Sequence, residues 1–308
     1  MQPPGSRTDI QNLSAPVISP HTRAVLGALL VTFLWSSSYV LITLGLEEIP
    51  ALTFAGLRYF VAAVVLFILF LHQGGWITMR ELSLREIGLL TTLGVFMYAV
   101  TQGAQFVALQ YLKAATVSLF LTFTPVIVAL LSIPLLDERT SVRQWIWLAL
   151  LFFGVVIYFY PYAFGPLALL GLSIMVIGLF SNSLAAILGR GANRGNSLSA
   201  LTVTAISMAI GSTARLGTGL TVQGVPSLSW QAWGIVFWLA LINTAFAFWL
   251  WNRTLQTLTA RESSVINNTM LAQVAILGWI FLGESLALYD VIGLTIVIVG
   301  ALLFQLKG

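Results

Sequence analysis

Polar residues recur at helical spacing inside runs that are otherwise apolar, and any chemistry must lie there. Thr91, Gly94, Tyr98, Gln102 and Gln105 follow one another at intervals of three and four, which stacks them on one helix face. Two amides and a phenol are costly against lipid, so this face looks into a wet cavity or bonds to a neighbouring helix. Ser118, Thr122 and Pro125 share a second face. Pro125 removes a backbone donor near mid-helix, which either bends the helix at a cavity or serves packing alone. Asn243, with Ala247 and Trp251, marks a third face, where an amide deep in a membrane needs a solute or another helix as its partner. Asn267 and Asn268 are adjacent, so they cannot both be lipid-facing. Trp35 lies too deep in its run for an interfacial belt. It reads either as a stacking wall for an apolar or cationic solute or as a packed core residue.

Arg58 is the one charged residue placed well inside an apolar run, about 12 Å along its helix from Pro50. It could pair with a solute carboxylate or hold its helix to neighbouring carbonyls. A structural or gating role is the expectation, since a lone intramembrane arginine by default pairs within the bundle. Glu138 and Glu284 fall just before apolar runs, where the positive end of a helix favours a carboxylate, and Ser141 with Gln144 forms a capping box beside the first. Both glutamates read as helix-end anchors with a possible gating function. What is missing is as informative. There is no cysteine, and His21 and His72 are the only histidines, so disulfides, thiolate metal sites and a buried multi-histidine metal centre are excluded. No carboxylate sits mid-run to act as a proton relay, and one arginine is too few for a phosphorylated solute. A neutral or zwitterionic solute fits best.

The elements that must position these residues are membrane helices. The chain has 308 residues, 58% of them hydrophobic and only 8% charged, with a mean hydropathy of +0.96. A soluble domain carries about 25% charge, so a soluble enzyme or nucleic-acid binder is excluded. At about 20 residues per span, helices are predicted over 24–44, 50–71, 87–107, 114–135, 143–161, 166–188, 198–216, 230–251, 262–282 and 286–305. Residues 1–22 read as a disordered cytoplasmic tail. With both termini on one side, that side holds eleven basic residues and the other only Lys113 and Arg215. The positive-inside rule then puts both termini in the cytoplasm. An intramembrane enzyme would need a nucleophile with a base or a metal, and no such constellation appears.

Sliding the chain by 146 residues aligns Gly88 with Gly234, Leu109 with Leu255, Ala129 with Ala275, Glu138 with Glu284 and Gly154 with Gly300. Near the start, Trp35-Ser36-Ser37-Ser38 pairs with Phe180-Ser181-Asn182-Ser183 at nearly the same offset. The chain therefore divides into a first five-helix unit over 23–161 and a second over 162–308. Five is odd, so the second copy enters the membrane inverted, an arrangement that places a transport site near the midplane between repeats.

The Trp35-Ser36-Ser37-Ser38 run, Pro50 followed by Phe54-Ala55 and Arg58, and Pro125 with Glu138 together resemble the EamA-type repeat of the drug/metabolite transporter superfamily, over essentially residues 24–305. The resemblance implies an all-α integral membrane protein of ten helices in two inverted repeats. It further implies a carrier of small metabolites, most often an exporter of amino acids, in a bacterial inner membrane. The cavity of such a carrier is lined chiefly by helices 1, 3, 4, 6, 8 and 9, with helices 2 and 7 near the gates and 5 and 10 peripheral. Leu271 departs from the pattern where Pro125 would recur, and Asn268 stands where Thr122 does, so the two halves of the cavity should differ chemically. The expected solute contacts are Trp35, Ser38, Tyr98, Gln102, Thr122, Asn243 and Asn268, with gating or structural roles for Arg58, Pro125, Glu138 and Glu284. No cofactor, metal or nucleic acid is implied. The partners are a small-molecule substrate and the lipid bilayer, and the chain is a monomer or homodimer, with Gly293 and Gly300 as a possible close-approach face. Multidrug efflux of aromatic or cationic compounds is the alternative function.

Overall fold

A computed structural model describes residues 19–136, 142–160, 165–194 and 198–307. Tail residues 1–18, Glu138 and the Ser141 capping box lie outside the described residues, as does the side chain of Ser264.

The described chain is helical throughout. It runs through α1 (Pro20–Gly45), α2 (Ala51–His72), a short α3 (Gly75–Glu81), α4 (Leu84–Gly94), a π turn (Val95–Thr101) and α5 (Gln102–Ala108). It continues through α6 (Ala114–Thr122), α7 (Thr124–Leu136), α8 (Val142–Phe159), α9 (Pro166–Arg194), α10 (Ala200–Gln223) and α11 (Trp230–Ala240). A second π turn (Leu241–Phe246), α12 (Ala247–Thr254), α13 (Ala260–Leu282) and α14 (Leu288–Lys307) complete it.

The starts are set by local chemistry. Ser83 with Glu86, and Thr259 with Glu262, form capping boxes that satisfy the first orphan N–H groups. Ser19, Ser199 and Ser229 cap α1, α10 and α11 with their hydroxyls. Nine helical stretches among the described residues are long and apolar enough to cross a membrane. Only α10 is too polar for that set, yet its 24 residues make it about 36 Å long.

Contacts between connections show which ends share a side. Glu48, after α1, accepts from Ser229, before α11, and Gln223 accepts from Leu52 N–H at 3.0 Å. Lys113 Nζ donates to the Ser285 carbonyl at 2.8 Å. At the opposite end His21 meets Glu262 at 2.8 Å.

Several helix pairs pack backbone to backbone, and glycine permits it. A Cβ on Gly56 of α2 would stand 2.6 Å from the Leu216 Cα of α10, and one on Gly219 would stand 2.7 Å from Thr53 N. In the α8–α14 pair, a Cβ on Gly154 would lie 2.8 Å from Val297 N and one on Gly300 2.9 Å from Leu151 N. Gly293 likewise packs on the Tyr158 backbone of the same chain, so the face expected to serve a dimer is spent inside the protomer.

Three departures from expectation follow from tertiary contact. The helix expected to end at 216 continues to Gln223 because Gly219 keeps it against α2. Arg215, expected at a helix end, therefore lies within α10 and donates from Nη2 to the Ala99 carbonyl in the first π turn. The segment expected as a plain loop before residue 87 contains α3, whose Trp76 and Ile77 are exposed while Arg80 covers the Trp76 ring at 5.4 Å.

The helix containing Pro125 is broken into α6 and α7 at Phe123, whose N–H bonds to Phe120 O in a tightened turn. Proline removes a donor, and the ladder cannot run through it. In the corresponding stretch around Leu271, α13 is unbroken.

Candidate functional site

Midway along the helices lies a cavity of about 370 Å³, within the size range of small-molecule sites. The broken helix forms one wall, where Leu121, Thr122, Thr124 and Pro125 all face the space. Helix α1 offers Trp35, Ser38 and Tyr39, and α2 offers Arg58 and Tyr59. Thr101 of the π turn and Gln102 and Gln105 of α5 form another side, closed by Asn182 of α9 and Asn268 of α13.

The π turns decide which polar residues look inward. Both occur at the same register, 146 residues apart. Thr101 Oγ1 donates to Phe96 O, and Thr244 Oγ1 to Leu239 O, each bridging five residues at 2.8 Å. A wider turn rotates everything after it relative to an α-helix. The face expected to run through Tyr98, Gln102 and Gln105 is accordingly split. Gln102 and Gln105 line the cavity, whereas Tyr98 turns to the Tyr59 ring, 5.7 Å between centroids, and to Gly211 of α10.

Asn243 is also absent from the cavity wall. It is fully buried, and its Nδ2 donates to the Leu34 carbonyl, to Ser37 Oγ at 3.0 Å and to Ser38 Oγ at 3.3 Å. Asn243 Nδ2 thus bonds helix to helix through α1, while its buried Oδ1 has no hydrogen-bond partner among the described residues.

The serines of the Trp-Ser-Ser-Ser run have separate tasks. Ser36 donates to Gln273 Oε1 of α13 at 3.0 Å, Ser37 accepts from Asn243, and Ser38 receives Arg58 Nη2 at 3.4 Å. Arg58 also donates from Nε to Thr244 Oγ1 at 3.0 Å and covers the Tyr59 ring at 5.1 Å. Its partners are thus hydroxyls, not the carbonyls expected of a helix clamp. Trp35 is half-buried, lines the cavity and packs against Phe248 and Trp251 at 5.6 and 5.3 Å between centroids.

Of the expected contacts, Trp35, Ser38, Gln102, Thr122 and Asn268 line the cavity, together with Arg58 and Pro125. Asn182 donates to Thr124 Oγ1 at 2.8 Å across the break; it occupies the repeat position of Ser37, and that pairing is the signal by which it could have been found. Gln305 of α14 accepts from Asn268 Nδ2 at 3.0 Å, so this helix reaches the wall although the resemblance places helix 10 at the periphery.

Glu284 caps a helix other than its own. Its carboxylate accepts from Ala114 N–H at 2.6 Å, at the start of the broken helix, while Asp290 accepts from Ala287 N–H and meets Lys113 at 3.7 Å. Burial pushes the Glu284 carboxyl above its ordinary range, opposed by the Ala114 and Ala115 amides and by Lys113.

Comparison with known proteins agrees with this architecture. The model of the EamA-like transporter family matches twice, over residues 22–160 and 169–306. The chain is 24% identical to the uncharacterized transporter YoaV of Bacillus subtilis, over 90% of this chain and 95% of that one. It is 27% identical to an S-adenosylmethionine/S-adenosylhomocysteine transporter of Chlamydia trachomatis serovar L2, over 82% and 80% of the two chains. A solved crystal structure superposes with a TM-score of 0.65 at 16% identity, covering 93% of this chain and 97% of that one, which carries the fold alone.

Proposed function

The chain belongs to the EamA-like transporter family and is a multi-pass membrane transporter; from that premise we propose that it exports small neutral or zwitterionic metabolites, foremost amino acids. The observation that carries this reading is the cavity wall. It combines hydroxyls, amides and one guanidinium with a Trp35–Phe248 apolar side, and no carboxylate lines it among the described residues. Such a wall suits a solute that hydrogen-bonds through small polar groups and brings an apolar side chain. Of the two named relatives, the one whose name specifies a cargo carries molecules that contain an amino-acid group.

The mechanism is alternating access by rocking of two inverted five-helix repeats, 23–161 and 162–308, around this site. Support comes from the doubled family match and the paired π turns. Support for cytoplasmic termini, in a bacterial inner membrane, comes from charge placement. Arg23, Arg80, Arg85, Arg143 and Arg253 belong to the end of the bundle marked by His21, whereas Glu47, Glu48, Glu284 and Asp290 belong to the other. The aromatic wall favours a second reading, efflux of aromatic compounds.

Reconstituted proteoliposomes test this. Saturable counterflow across an amino-acid panel is expected. Exchange confined to aromatic amines or dyes would move the assignment to the second reading, and no exchange of either class would remove both.

A further inference from the structure

We infer that the cavity selects solutes through a carboxylate held by Arg58, so that carboxyl-bearing metabolites, amino acids included, are bound and their carboxyl-less analogues are refused. This rests on the transport reading above and narrows its substrate class.

Arg58 is 4% exposed yet lines the cavity. A guanidinium offers five N–H donors, and only two hydrogen bonds occupy them, to Thr244 Oγ1 and Ser38 Oγ. Both acceptors are neutral, and each sends its own proton to a backbone carbonyl, of Leu239 and Leu34. Thr244 Oγ1 thereby turns its lone pairs to the arginine, while Ser38 Oγ is shared between the arginine and Asn243 Nδ2, and the guanidinium has donors left over. The ion pairs among the described residues, His21–Glu262 and Lys113–Asp290, lie at helix ends, and no lining residue is acidic. A buried charge with neutral partners alone is costly. Tyr39, 2% exposed, also lines the cavity, and its buried hydroxyl has no hydrogen-bond partner among the described residues.

A carboxylate answers both deficits, because its two oxygens match the guanidinium fork and accept from a phenol as well. A phosphate brings a second charge with no second cation in the wall. Trp35 precedes Ser38 by three residues, so its backbone lies about 4.5 Å along α1 from that of the arginine's contact, and both residues line the cavity. A carboxylate followed by an apolar group fits that spacing.

The full-length protein, purified and reconstituted, is challenged with L-phenylalanine, 3-phenylpropanoate, L-phenylalaninamide and phenethylamine, read by competition in counterflow and by the shift in melting temperature in detergent. The two carboxylates are expected to compete and to raise Tm, with the amide and the amine at least about tenfold weaker. R58Q is expected to erase that difference, and R58K to keep the order at reduced affinity. Amine or amide competition within twofold of phenylalanine would overturn the inference, as would intact discrimination in R58Q. So would a Tm rise with sodium chloride equal to that with the carboxylates, which marks a small-anion site. If nothing exchanges in counterflow, the transport reading fails while the Tm arm still decides: a rise specific to carboxylates supports the inference, and its absence refutes it. Where R58Q is not recovered as a monodisperse protein, R58K decides, and unchanged carboxylate affinity in it counts against the inference.

Discussion

Asn243 Nδ2 donates to the backbone carbonyl of Leu34, joining the second π turn to the middle of α1. An amide that sequence offers as a solute ligand is thereby a structural bond, and its removal separates the two roles. N243A removes a buried donor shared by Leu34 O, Ser37 Oγ and Ser38 Oγ, at a cost of about 1–3 kcal/mol. The expected result is a lower melting temperature with an unchanged substrate ranking. N182A, at the cavity wall, should alter the ranking with little change in melting temperature.

Thr244 is fully buried and accepts from Arg58 Nε at 3.0 Å. T244V keeps the shape and removes the acceptor, which for a charged donor costs about 1.5–3 kcal/mol. T244S restores it. Thermal unfolding of the three proteins should place serine beside the wild type and valine well below.

The α8–α14 contact leaves no room at Gly154 or Gly300, since an added Cβ would meet backbone atoms of the partner helix below 3 Å. G154V and G300V should each destabilise by about 1–3 kcal/mol or more through overpacking. G234V, at an exposed glycine with nothing within 4 Å, should leave the melting temperature unchanged. A change of oligomeric state without a change in melting temperature would contradict this intramolecular assignment.

The connecting carboxylates predict opposite pH responses. Burial raises Glu284, so the native state holds that proton more tightly than the unfolded chain. Its contribution is present in acid and is lost as pH rises above the ordinary carboxylate value of 4.5. E284Q should flatten this slope while keeping an acceptor for Ala114 N–H, and E284A should lose both.

Glu262 is lowered to about 2 by the Thr259 amide first, then by His21 and the Thr259 hydroxyl. Its contribution is present above pH 4.5 and is lost as pH falls toward about 2. Melting temperature against pH for E262Q and the wild type should converge in acid.

Much of this protein can be read without coordinates. Length and hydropathy of the apolar runs bring out the membrane helices, because lipid forces each span to bond its own backbone and to be apolar over a fixed length. Pro125 announces a disturbance of its helix, found as the break between α6 and α7, because its effect acts within one turn. The family resemblance carried by Trp35 to Ser38, Pro50, Arg58 and Pro125 is equally local in the chain.

Tertiary structure decides what helical spacing cannot. The two π turns rotate the faces beyond them, which takes Tyr98 to Tyr59 and Gly211 and Asn243 to α1, while Gln102 stays in the cavity. Arg215 is placed inside α10, and Gln305 reaches the wall from a helix expected at the periphery, because partners more than a hundred or some thirty-seven residues away hold them there. A period of 3.6 names the residues that share a face. Which face meets solute and which meets another helix is fixed only when the whole bundle closes, since a buried polar group must find its partner wherever the packing supplies one.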